Sequence, residues 1–538
     1  MKLRPVLLLG VVLAGCASAA TPAPPAPSPQ RSEALDRPPP KVGRYEVLVA
    51  RQRAAERRRR TAIARARRSP TVEAALRVAR LTGRITPADE GRSRREWASA
   101  QATLARLTGV RHTELAYVVG TIRTLAAAHA LTADRIEPTF FIMRTNQRFW
   151  SSAPLPAAGW RTSFGRHPAI FQYYPGRGLQ LQPLASWGRT NALAGACLAA
   201  LRSRSTKDRC RAATLTYSLD RLAALGARRG GYLAWEYYFA YGSGAPPWVS
   251  GMTQATAIQA LARGYRALGE TRWRRSAERA LGAFEQAPPT GVAVPAPGGS
   301  HYLLYSFAPG QRVLNGGLQA VLGLRDAAAL THSRRAQRLF RRGERAARRE
   351  LRAFDTGAWS LYSARGAEST LGYHALTAGF LRGLCERMKA RVYCRAHARF
   401  ARYQREPTRI RVAPLRGVRA DRTSSVRFTI SKISSVKVRL WGTRGMSLSR
   451  DLELPRGRHA LSWRPPGRGR YRLRIEARGP SGPAGVETRT IRITKPEPRK
   501  KTKEKKKAAP RPSRDAAKRP PAARNVVRSP SLRGRRTK

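Results

Sequence analysis

Residues 186–405 repeat one pattern, in which an amphipathic helical stretch is followed by a loop rich in aromatic residues and glycine. Apolar residues recur at three- and four-residue spacing within each stretch, which places them on one face of a helix. Paired helices with loops gathered at one end predict an α/α toroid, an incomplete barrel of helix pairs. The residues that define the helical faces are Ile258, Leu261, Tyr265, Leu268, Leu318, Val321, Leu322, Leu376, Phe380 and Leu384.

The pattern differs on both sides of this segment, which predicts a multidomain α+β protein. Residues 41–135 are helical in pattern, and the run 86–89 (Thr-Pro-Ala-Asp) is typical of a helix start. Residues 136–185 contain short apolar and aromatic runs broken by Gly and Pro, which predicts a short β-rich module. Residues 408–494 alternate with period two, which predicts an immunoglobulin-like β-sandwich of about seven strands that acts as an accessory or spacer.

The amino-terminal residues have the form of an export signal. Residues 1–20 carry two basic residues before an apolar run that is too short to span a bilayer as a mature helix. The run ends in Leu-Ala-Gly-Cys, which resembles a bacterial lipobox with Cys16 as the lipidated residue; ordinary cleavage after residues 17–19 is the alternative. Residues 21–40, rich in Pro and Ala, then form an extended linker. Both alternatives predict a protein that works outside the cytoplasm, anchored to a membrane or secreted.

The charge of the chain predicts a polyanionic partner. The sequence has 104 Lys and Arg against 32 Asp and Glu, a net charge of +72. Most of the basic residues are Arg, which binds carboxylates and phosphates through two parallel hydrogen bonds. Residues 495–538 hold 18 basic and 3 acidic residues and no aromatic residue, which predicts a disordered basic tail. Export argues against nucleic acid, so an anionic envelope or an acidic polysaccharide remains.

The cysteines agree with export. Besides Cys16 there are two close pairs, Cys197 with Cys210 and Cys385 with Cys394, each across a short polar turn between two helical patterns. In an oxidising compartment this spacing predicts two local disulfides, and buried free thiols are the alternative. Zinc-ligand spacing and phosphate-binding glycine loops do not occur in the sequence, so we expect no metal and no cofactor.

Four blocks in the predicted toroid resemble, in order, the carboxy-terminal domain of the D-glucuronyl C5-epimerase family. The resemblance implies an α/α barrel that acts on glucuronic acid units inside an acidic polysaccharide, and it leaves a homodimer open. The blocks are YYPGRGLQLQPLASWGRTNAL (173–193), PPWVSGMTQATAIQALARGY (246–265), YSFAPGQRVLNGGLQAVLGLRD (305–326) and DTGAWSLYSARGAESTLGYHAL (355–376).

The implied reaction sets demands on the site. Inversion of carbon 5 removes a proton next to a carboxylate and returns one to the opposite face of the ring. The site must therefore neutralise the carboxylate and hold a base and an acid on opposite faces. Tyrosines suit this chemistry if cationic neighbours lower their pKa, and Arg suits the carboxylate. The same carbanion can instead expel the substituent on carbon 4, so a lyase would use nearly the same groups.

The resemblance assigns site residues position by position. The loop tyrosines of the family match Tyr305, Tyr362 and Tyr373, of which Tyr373 and Tyr305 would be the opposed acid and base. Arg365 would hold the carboxylate, and His374 and Asn315 would be positioning groups. Two further candidates lie in the second block. Trp248 would stack on a sugar ring, and Gln254, on the helix that follows it, would bind a sugar hydroxyl.

The sequence also departs from the family. Leu304 stands where the family has a Glu, its proposed general base, just before the first tyrosine, and Thr377 stands where a second His is expected. Two carboxylates are candidates to compensate, Glu236 and Glu368.

Three functions stay open. They are a cofactor-free epimerase, a non-catalytic envelope protein that binds anionic glycans, and a uronate lyase. For each aromatic or histidine candidate the alternative is a packing role, so the case depends on the constellation.

Overall fold

The computed structural model of the chain describes residues 42–203, 210–415, 418–420 and 422–493. The predicted signal with Cys16, the linker 21–40 and the basic tail 495–538 lie outside the described residues. Within the described part, no helix combines the length and the apolar character that crossing a membrane requires.

The described chain is mainly helical from Val42 to Tyr403 and ends in strands, so the mixed α and β class is confirmed. The helices are α1 (Val42–Arg68), α2 (Val72–Leu81), α3 (Pro87–Arg106), α4 (Gly109–Ala127), α5 (Ala133–Ser152), α6 (Pro183–Arg202), α7 (Ala212–Ala224), α8 (Gly251–Leu268), α9 (Thr271–Ala280), α10 (Leu314–Thr331), α11 (Arg334–Glu350), α12 (Leu371–Met388) and α13 (Arg391–Tyr403). Short 3-10 turns follow α9 and α11, at Leu281–Phe284 and Leu351–Phe354.

Short hairpins separate these helices, and longer strands follow them. The strands are β1 (Arg161–Thr162), β2 (Phe171–Tyr174), β3 (Gly178–Leu181), β4 (Ala227–Arg229), β5 (Tyr232–Ala234), β6 (Ala293–Ala296), β7 (Gly299–Tyr302), β8 (Ile410–Val412), β9 (Ser424–Ile430), β10 (Ser434–Gly442), β11 (Gly445–Leu454), β12 (Gly457–Trp463), β13 (Gly469–Arg478) and β14 (Gly485–Ile493).

The helical amino-terminal region is confirmed, including the predicted start of α3. Thr86 Oγ accepts a hydrogen bond from the Asp89 backbone N–H at 3.1 Å, and the Asp89 carboxylate accepts one from the Thr86 N–H at 3.1 Å. This reciprocal capping satisfies two N–H groups that the first turn leaves without partners. Pro87 occupies the first turn, where its missing N–H costs nothing.

The predicted β-rich module is correct in one half and wrong in the other. Strands β1, β2 and β3 form an antiparallel sheet in sequence order. However, residues 136–152 belong to helix α5. Its Ile136, Phe140 and Met143 are buried in the main core at helical spacing. The aromatic and β-branched composition favours a strand, but packing against the neighbouring helices outweighs that local preference.

Helices α6 to α13 form two layers. In the inner layer α6 packs on α8, α8 on α10 and α10 on α12. In the outer layer α7, α9, α11 and α13 each pack on the inner helix that precedes them. The inner helices α8 and α10 are buried along almost their whole length, whereas α9 and α11 turn their arginines outward. The loops before α8, α10 and α12 carry the residues singled out in the sequence.

A buried polar network joins all four inner helices, with Asp326 of α10 at its centre. The Asp326 carboxylate accepts hydrogen bonds from Arg263 of α8 at 2.7 Å and from Arg387 of α12 at 3.2 Å. It also accepts one from Gln259 at 2.8 Å, and Gln259 accepts one from Asn191 of α6 at 2.8 Å. The network therefore fixes the register of the inner layer.

Strands β8 to β14 form two antiparallel sheets over a shared core. One sheet has the order β11-β10-β13-β14 and the other the order β12-β9-β8. Burial alternates along β10 and β13, as the period-two pattern predicts. Val438 and Ile475 of the first sheet and Phe428 and Trp463 of the second belong to one core. The immunoglobulin-like topology stays a prediction, as does the toroid.

Both predicted disulfides are present. Cys197 of α6 is bonded to Cys210, just before α7, with a Cα–Cα distance of 4.2 Å. Cys385 of α12 is bonded to Cys394 of α13, with a Cα–Cα distance of 4.8 Å. Each bond links an inner helix to the outer element that follows it.

We predict that Asp326→Ala lowers the free energy of unfolding by about 3–5 kcal/mol, because it leaves Arg263 and Arg387 buried without their carboxylate. Burial alone raises the pKa of Asp326, but Arg263 and Arg387 outweigh it and hold the pKa below its ordinary value. This contribution should therefore be present at neutral pH and be lost as the pH falls below about 4. Denaturant unfolding at neutral pH and below about pH 4, followed by the circular dichroism of the helices, checks this.

The matched control is Asp451→Ala, which removes an exposed carboxylate paired with Arg439 on β10. Exposed pairs contribute about 0–1 kcal/mol, so this variant should unfold almost like the wild type. Equal losses in the two variants would contradict a central role for Asp326.

Candidate active site

Three tyrosines predicted for the site lie together. Tyr305 is in the loop between β7 and α10, Tyr362 is in the loop before α12, and Tyr373 is in the first turn of α12. The Tyr305 and Tyr362 hydroxyl oxygens are 3.3 Å apart, within hydrogen-bond distance. The rings of Tyr362 and Tyr373 are 5.0 Å apart between centroids. Tyr373 is the outermost, with 45% of its surface exposed.

Backbone hydrogen bonds hold the two loops in place. Ser306 donates its N–H to the Val249 carbonyl at 3.0 Å, and its hydroxyl accepts the Val249 N–H at 3.1 Å. This pair fixes the Tyr305 loop against the segment before α8. The Tyr362 carbonyl accepts the Leu314 N–H at 3.3 Å, which joins the second loop to the start of α10. The hydroxyl pair is therefore formed by two loops that are each anchored to an inner helix.

A fourth tyrosine, Tyr241, belongs to the same cluster and was missed in the sequence. Its ring centroid is 5.6 Å from that of Tyr305, and 39% of its surface is exposed. Paired backbone hydrogen bonds between Tyr241 and Gly244 form the turn that presents it. The signal was present, because Tyr241 ends an aromatic run and precedes a Gly-Ser-Gly turn. We refer to Tyr241, Tyr305, Tyr362 and Tyr373 as the tyrosine cluster.

The electrostatics of the cluster do not meet the condition that this chemistry sets. Tyrosines suit the reaction if cationic neighbours lower their pKa values. Instead, burial raises the pKa of Tyr305 well above its ordinary value, and the nearby hydroxyls of Tyr362 and Tyr241 raise it further. Burial also raises the pKa of Tyr362. Both hydroxyls are therefore protonated at neutral pH, which suits an acid better than a base.

Arg365 and Asn315 lie next to the cluster. Arg365 is exposed in a turn closed by the Gly366 N–H and the Ser363 carbonyl, and its φ of 61° is left-handed. Its guanidinium forms no hydrogen bond with the tyrosines in the described structure. Asn315 follows Leu314, whose N–H bonds Tyr362, and is only 3% exposed. Among the described residues its amide has no hydrogen-bond partner.

Glu236 is not a free carboxylate, contrary to its predicted catalytic role. It is buried and accepts two hydrogen bonds from Arg135, at 2.7 and 2.9 Å. Arg229 donates a third at 2.9 Å and the Tyr238 hydroxyl a fourth at 3.1 Å. The four bonds use the lone pairs of both carboxylate oxygens. Glu236 thus joins α5 to the β4–β5 hairpin and is unavailable as a base.

His374 has a structural role in place of the predicted positioning role at the site. The ring is fully buried and stacks on Trp359, with centroids 3.7 Å apart. Its Nδ1 is 2.8 Å from the Ser360 hydroxyl and its Nε2 is 2.9 Å from the Phe400 carbonyl. Both nitrogens are therefore occupied by the protein, although Tyr373, one residue earlier, faces solvent.

Gln254 and Trp248 are likewise buried and satisfied, so neither takes its predicted sugar contact. Gln254 accepts the Trp235 backbone N–H and donates to the Leu233 carbonyl, both at 2.9 Å, and so holds the strand β5. Trp248 donates its indole N–H to the Phe239 carbonyl at 2.8 Å. Its ring stacks on that of Tyr237 at 4.0 Å and forms the wall behind the cluster.

Glu368, the second candidate to compensate for a missing base, is hydrogen-bonded to the carboxy-terminal, strand-rich part of the chain. Its two oxygens accept the backbone N–H groups of Ile433 at 3.1 Å and Arg456 at 2.8 Å. Burial raises the pKa of this carboxyl. Glu368 therefore links the loop of Tyr362 to the carboxy-terminal strands instead of facing the tyrosine cluster.

Comparisons with known proteins agree with the place of this cluster in the chain. The model of the family "D-glucuronyl C5-epimerase C-terminus" matches residues 229–402. A D-glucuronyl C5-epimerase of Caenorhabditis elegans is 30% identical over 133 residues, which cover 22% of this chain and 22% of that protein. The aligned part thus spans about a fifth of the relative.

Residues 229–402 are thus similar to the carboxy-terminal domain of D-glucuronyl C5-epimerases. Solved structures of similar shape include cellobiose 2-epimerases from Spirochaeta thermophila and Bacillus thermoamylovorans. The first has a TM-score of 0.32 and 17% identity over 55% of this chain and 73% of that one. The second has a TM-score of 0.31 and 11% identity over 55% and 74%. An α-mannanase of Bacteroides thetaiotaomicron has a TM-score of 0.30 and 12% identity over 42% and 61%.

Two positions depart from the epimerase-family pattern, and the structure places both. Leu304 is buried with Met252 and Val313 in a small apolar cluster that also touches Tyr305 and Tyr362. A hydrocarbon side chain therefore stands beside the hydroxyl pair where the family has a carboxylate. Thr377 is buried in α12, and its hydroxyl donates to the Tyr373 carbonyl at 2.8 Å, a bond within the helix.

We predict that His374 lowers stability in acid, with no part in proton transfer. Burial lowers the pKa of His374, and the positive charge of Lys432 acts in the same direction, against the Phe400 hydrogen bond. Because the folded pKa is below the unfolded value of about 6.5, the protein should lose stability as the pH falls below that value. His374→Phe keeps the stacking and should remove this part of the loss between pH 7.5 and 5, measured by denaturant unfolding.

His112→Phe, at an exposed position on α4, is the control and should leave the acid loss as it is. An acid loss in His374→Phe as large as in the wild type would contradict the prediction.

Proposed function

We propose that the protein is an epimerase that inverts carbon 5 of D-glucuronic acid units in an acidic polysaccharide without a cofactor. The observation that carries this proposal is the hydroxyl pair of Tyr305 and Tyr362, 3.3 Å apart, inside the family-matched segment. Tyr241 and Tyr373 extend the cluster to the surface on both sides of the pair. A polymer can reach an open site of this kind from solvent.

The hydroxyl pair can take part in the proton transfers that an inversion requires. One hydroxyl must take the proton from carbon 5 and another must return a proton to the opposite face. When ionised Tyr362 takes the proton from carbon 5 and Tyr373 returns one to the opposite face, Tyr362 is left protonated and Tyr373 ionised. Exchange with solvent resets both: Tyr362 releases its proton through the hydrogen bond to Tyr305, and the exposed Tyr373 takes one up directly. In our proposal Tyr362 and Tyr373 flank the sugar with Tyr305 behind, Arg365 binds the carboxylate and Asn315 binds a ring substituent.

The raised pKa values limit the rate of this chemistry. A neutral tyrosine donates a proton directly, but it accepts one only after ionising. Leu304 supplies no carboxylate to assist, and Glu236 and Glu368 are bound elsewhere in the fold. We therefore expect a slow enzyme whose rate rises with pH through the neutral and alkaline range, as the tyrosinate fraction grows.

A second candidate function is a non-catalytic glycan-binding protein of the cell envelope. The observation that favours it is Leu304, which packs in an apolar cluster at the position of the family's glutamate. The site therefore lacks the proposed base of the family. A uronate lyase is a third candidate, because it would start with the same proton abstraction. The three differ in product: deuterium at carbon 5 with unchanged chain length, no chemical change, or an unsaturated end that absorbs in the ultraviolet.

We propose the following setting for this activity. The paired layers of α6 to α13 are arranged as in an incomplete α/α toroid, and β8 to β14 as in an immunoglobulin-like sandwich that acts as a spacer. The signal sequence and Cys16 support export and a lipid anchor. An exported location would place the site beside envelope or extracellular polysaccharides, which are anionic partners for a chain of this charge.

We predict that, in deuterium oxide, the wild-type protein incorporates deuterium at carbon 5 of a glucuronate-containing polysaccharide. Tyr362→Phe and Tyr373→Phe should each reduce the rate about 10²–10⁴-fold, the usual contribution of a positioned acid or base. Nuclear magnetic resonance of the product measures the exchange. The wild-type rate should rise between pH 7 and pH 9.

Tyr217→Phe on α7, an exposed tyrosine outside the cluster, is the control and should exchange like the wild type. Absence of deuterium across several acidic glycans would contradict the epimerase proposal and leave the binding function in its place.

A further inference from the structure

Two arginines lie at one end of the small sheet that precedes the toroid. Arg177 is in the turn between β2 and β3, and its N–H donates to the Tyr174 carbonyl at 2.8 Å. Arg161 is on β1 opposite Gln172 of β2, and its Nε donates to the Gln172 amide oxygen at 2.6 Å. Both positions lie outside the family-matched residues 229–402.

The turn that carries Arg177 is held by a buried carboxylate. Glu114 of α4 accepts the Tyr173 hydroxyl at 2.7 Å and the Gly176 N–H at 2.8 Å on one oxygen. Its other oxygen accepts the Gly178 N–H at 2.6 Å. Gly178 has a φ of +75°, and a Cβ there would be 2.6 Å from the Asn146 amide oxygen. Glu114 therefore fixes the backbone on both sides of Arg177.

Tyr174 lies beside both arginines on this sheet. Arg161 pairs with Gln172, and Tyr174, two residues further along β2, shares the face of that pair, while Arg177 follows Tyr174 in the turn. In agreement with this placement, burial raises the pKa of Tyr174 and both arginines oppose that rise. The Glu114 carboxylate is used by its own three donors. Within the described ranges, neither Arg161 nor Arg177 is in salt-bridge distance of a carboxylate.

A row of aromatic rings connects this place to the tyrosine cluster. The Tyr174 ring centroid is 4.5 Å from that of Phe239, and Phe239 is 6.4 Å from Tyr241. Tyr241 is in turn 5.6 Å from Tyr305. Aromatic faces present apolar surface with polar edges, to which sugar rings bind by their C–H faces. Tyr174 and Tyr305 are linked through the rings of Phe239 and Tyr241, so a polymer bound at the hydroxyl pair can extend along this row towards the arginines.

We propose that Arg161 and Arg177 form a second binding subsite, which holds the carboxylate of another uronate unit of the polysaccharide while one unit lies at the tyrosine cluster. The proposal rests on the proposed polysaccharide function, but it concerns binding and not proton transfer. Guanidinium groups bind carboxylates with two parallel hydrogen bonds, and the nearby ring of Tyr174 gives the sugar a surface to pack on. The subsite would select a polymer with repeated uronates over a single sugar.

The test compares Arg161→Gln, Arg177→Gln and the double variant with the wild type. Calorimetry measures binding of an unsulfated glucuronate-containing polysaccharide and of the same polysaccharide with its carboxyls reduced to alcohols. Each single variant should weaken binding of the acidic polymer about tenfold to a hundredfold, the effect of one hydrogen-bonded charge. The reduced polymer should bind the wild type and the variants equally weakly.

The control is Arg472→Gln, which removes the same charge from an exposed position of β13, in the sheet β11-β10-β13-β14. It should bind the acidic polymer like the wild type, because in our proposal the weaker binding of the Arg161 and Arg177 variants comes from loss of the subsite and not from the lower net charge. The melting temperatures of all variants, measured by circular dichroism, should agree with that of the wild type.

The outcomes separate this proposal from the proposed function. If the wild type exchanges deuterium, the arginine variants should raise the KM for the polymer and leave kcat nearly unchanged. If the wild type binds the acidic polymer without exchange and the variants bind it less, the subsite stands and the epimerase proposal fails. If Arg161→Gln and Arg177→Gln bind it as tightly as Arg472→Gln does, or if the wild type does not bind it, the subsite is wrong.

Discussion

The ion network around Asp326 is the constraint on which the rest of the helical structure depends. A carboxylate buried between four helices is tolerated only if several donors satisfy it, and each inner helix except α6 supplies one directly. Asn191 connects α6 through Gln259 and Arg263. A shift of one inner helix by a turn would break these bonds. The network therefore sets the height at which the loops before α8, α10 and α12 emerge, and with it the place where their tyrosines meet.

The same need to satisfy buried polar groups explains which of the predicted site residues the structure brings together. Tyr305, Tyr362 and Tyr373 were identified by their loops, and a hydroxyl at a loop between helices reaches the common end of the bundle whatever the details of packing. Glu236, His374 and Gln254 have the chemistry of site residues as well. They are instead bound by Arg135, Ser360 and the Trp235 N–H. A single sequence does not contain the positions of such partners, which are up to about a hundred residues away.

The fold was predictable to the extent that local periodicity reports burial. Helical spacing in α8, α10 and α12 and strict alternation in β10 and β13 follow directly from the side that faces the core. Helix α5 was not predictable in this way, because Phe140, Phe141 and Ile142 form a run that also suits a strand. Its conformation is decided by contacts with α3 and α4 and by Asn146, which bonds the Leu179 N–H and carbonyl. Such contacts are tertiary and leave no local signal.

The positive charge of the chain affects how readily the tyrosines, with their raised pKa values, can ionise next to a polyanion. The polyanionic substrate that we propose would bring negative charge to a site where burial already raises the pKa values of Tyr305 and Tyr362, and an unopposed carboxylate would raise them further. The tyrosine cluster itself contains no cation, so the compensation must come from its edges. In our proposals Arg365, three residues after Tyr362, supplies it at one edge, and Arg161 and Arg177, beside Tyr174, supply it at the other. Positive charge at both edges would neutralise the polymer where it enters and leaves, and would keep the centre apolar enough for proton transfer. The arginines of the outer helices α9 and α11 add to the net charge of the protein without contacting the hydroxyl pair.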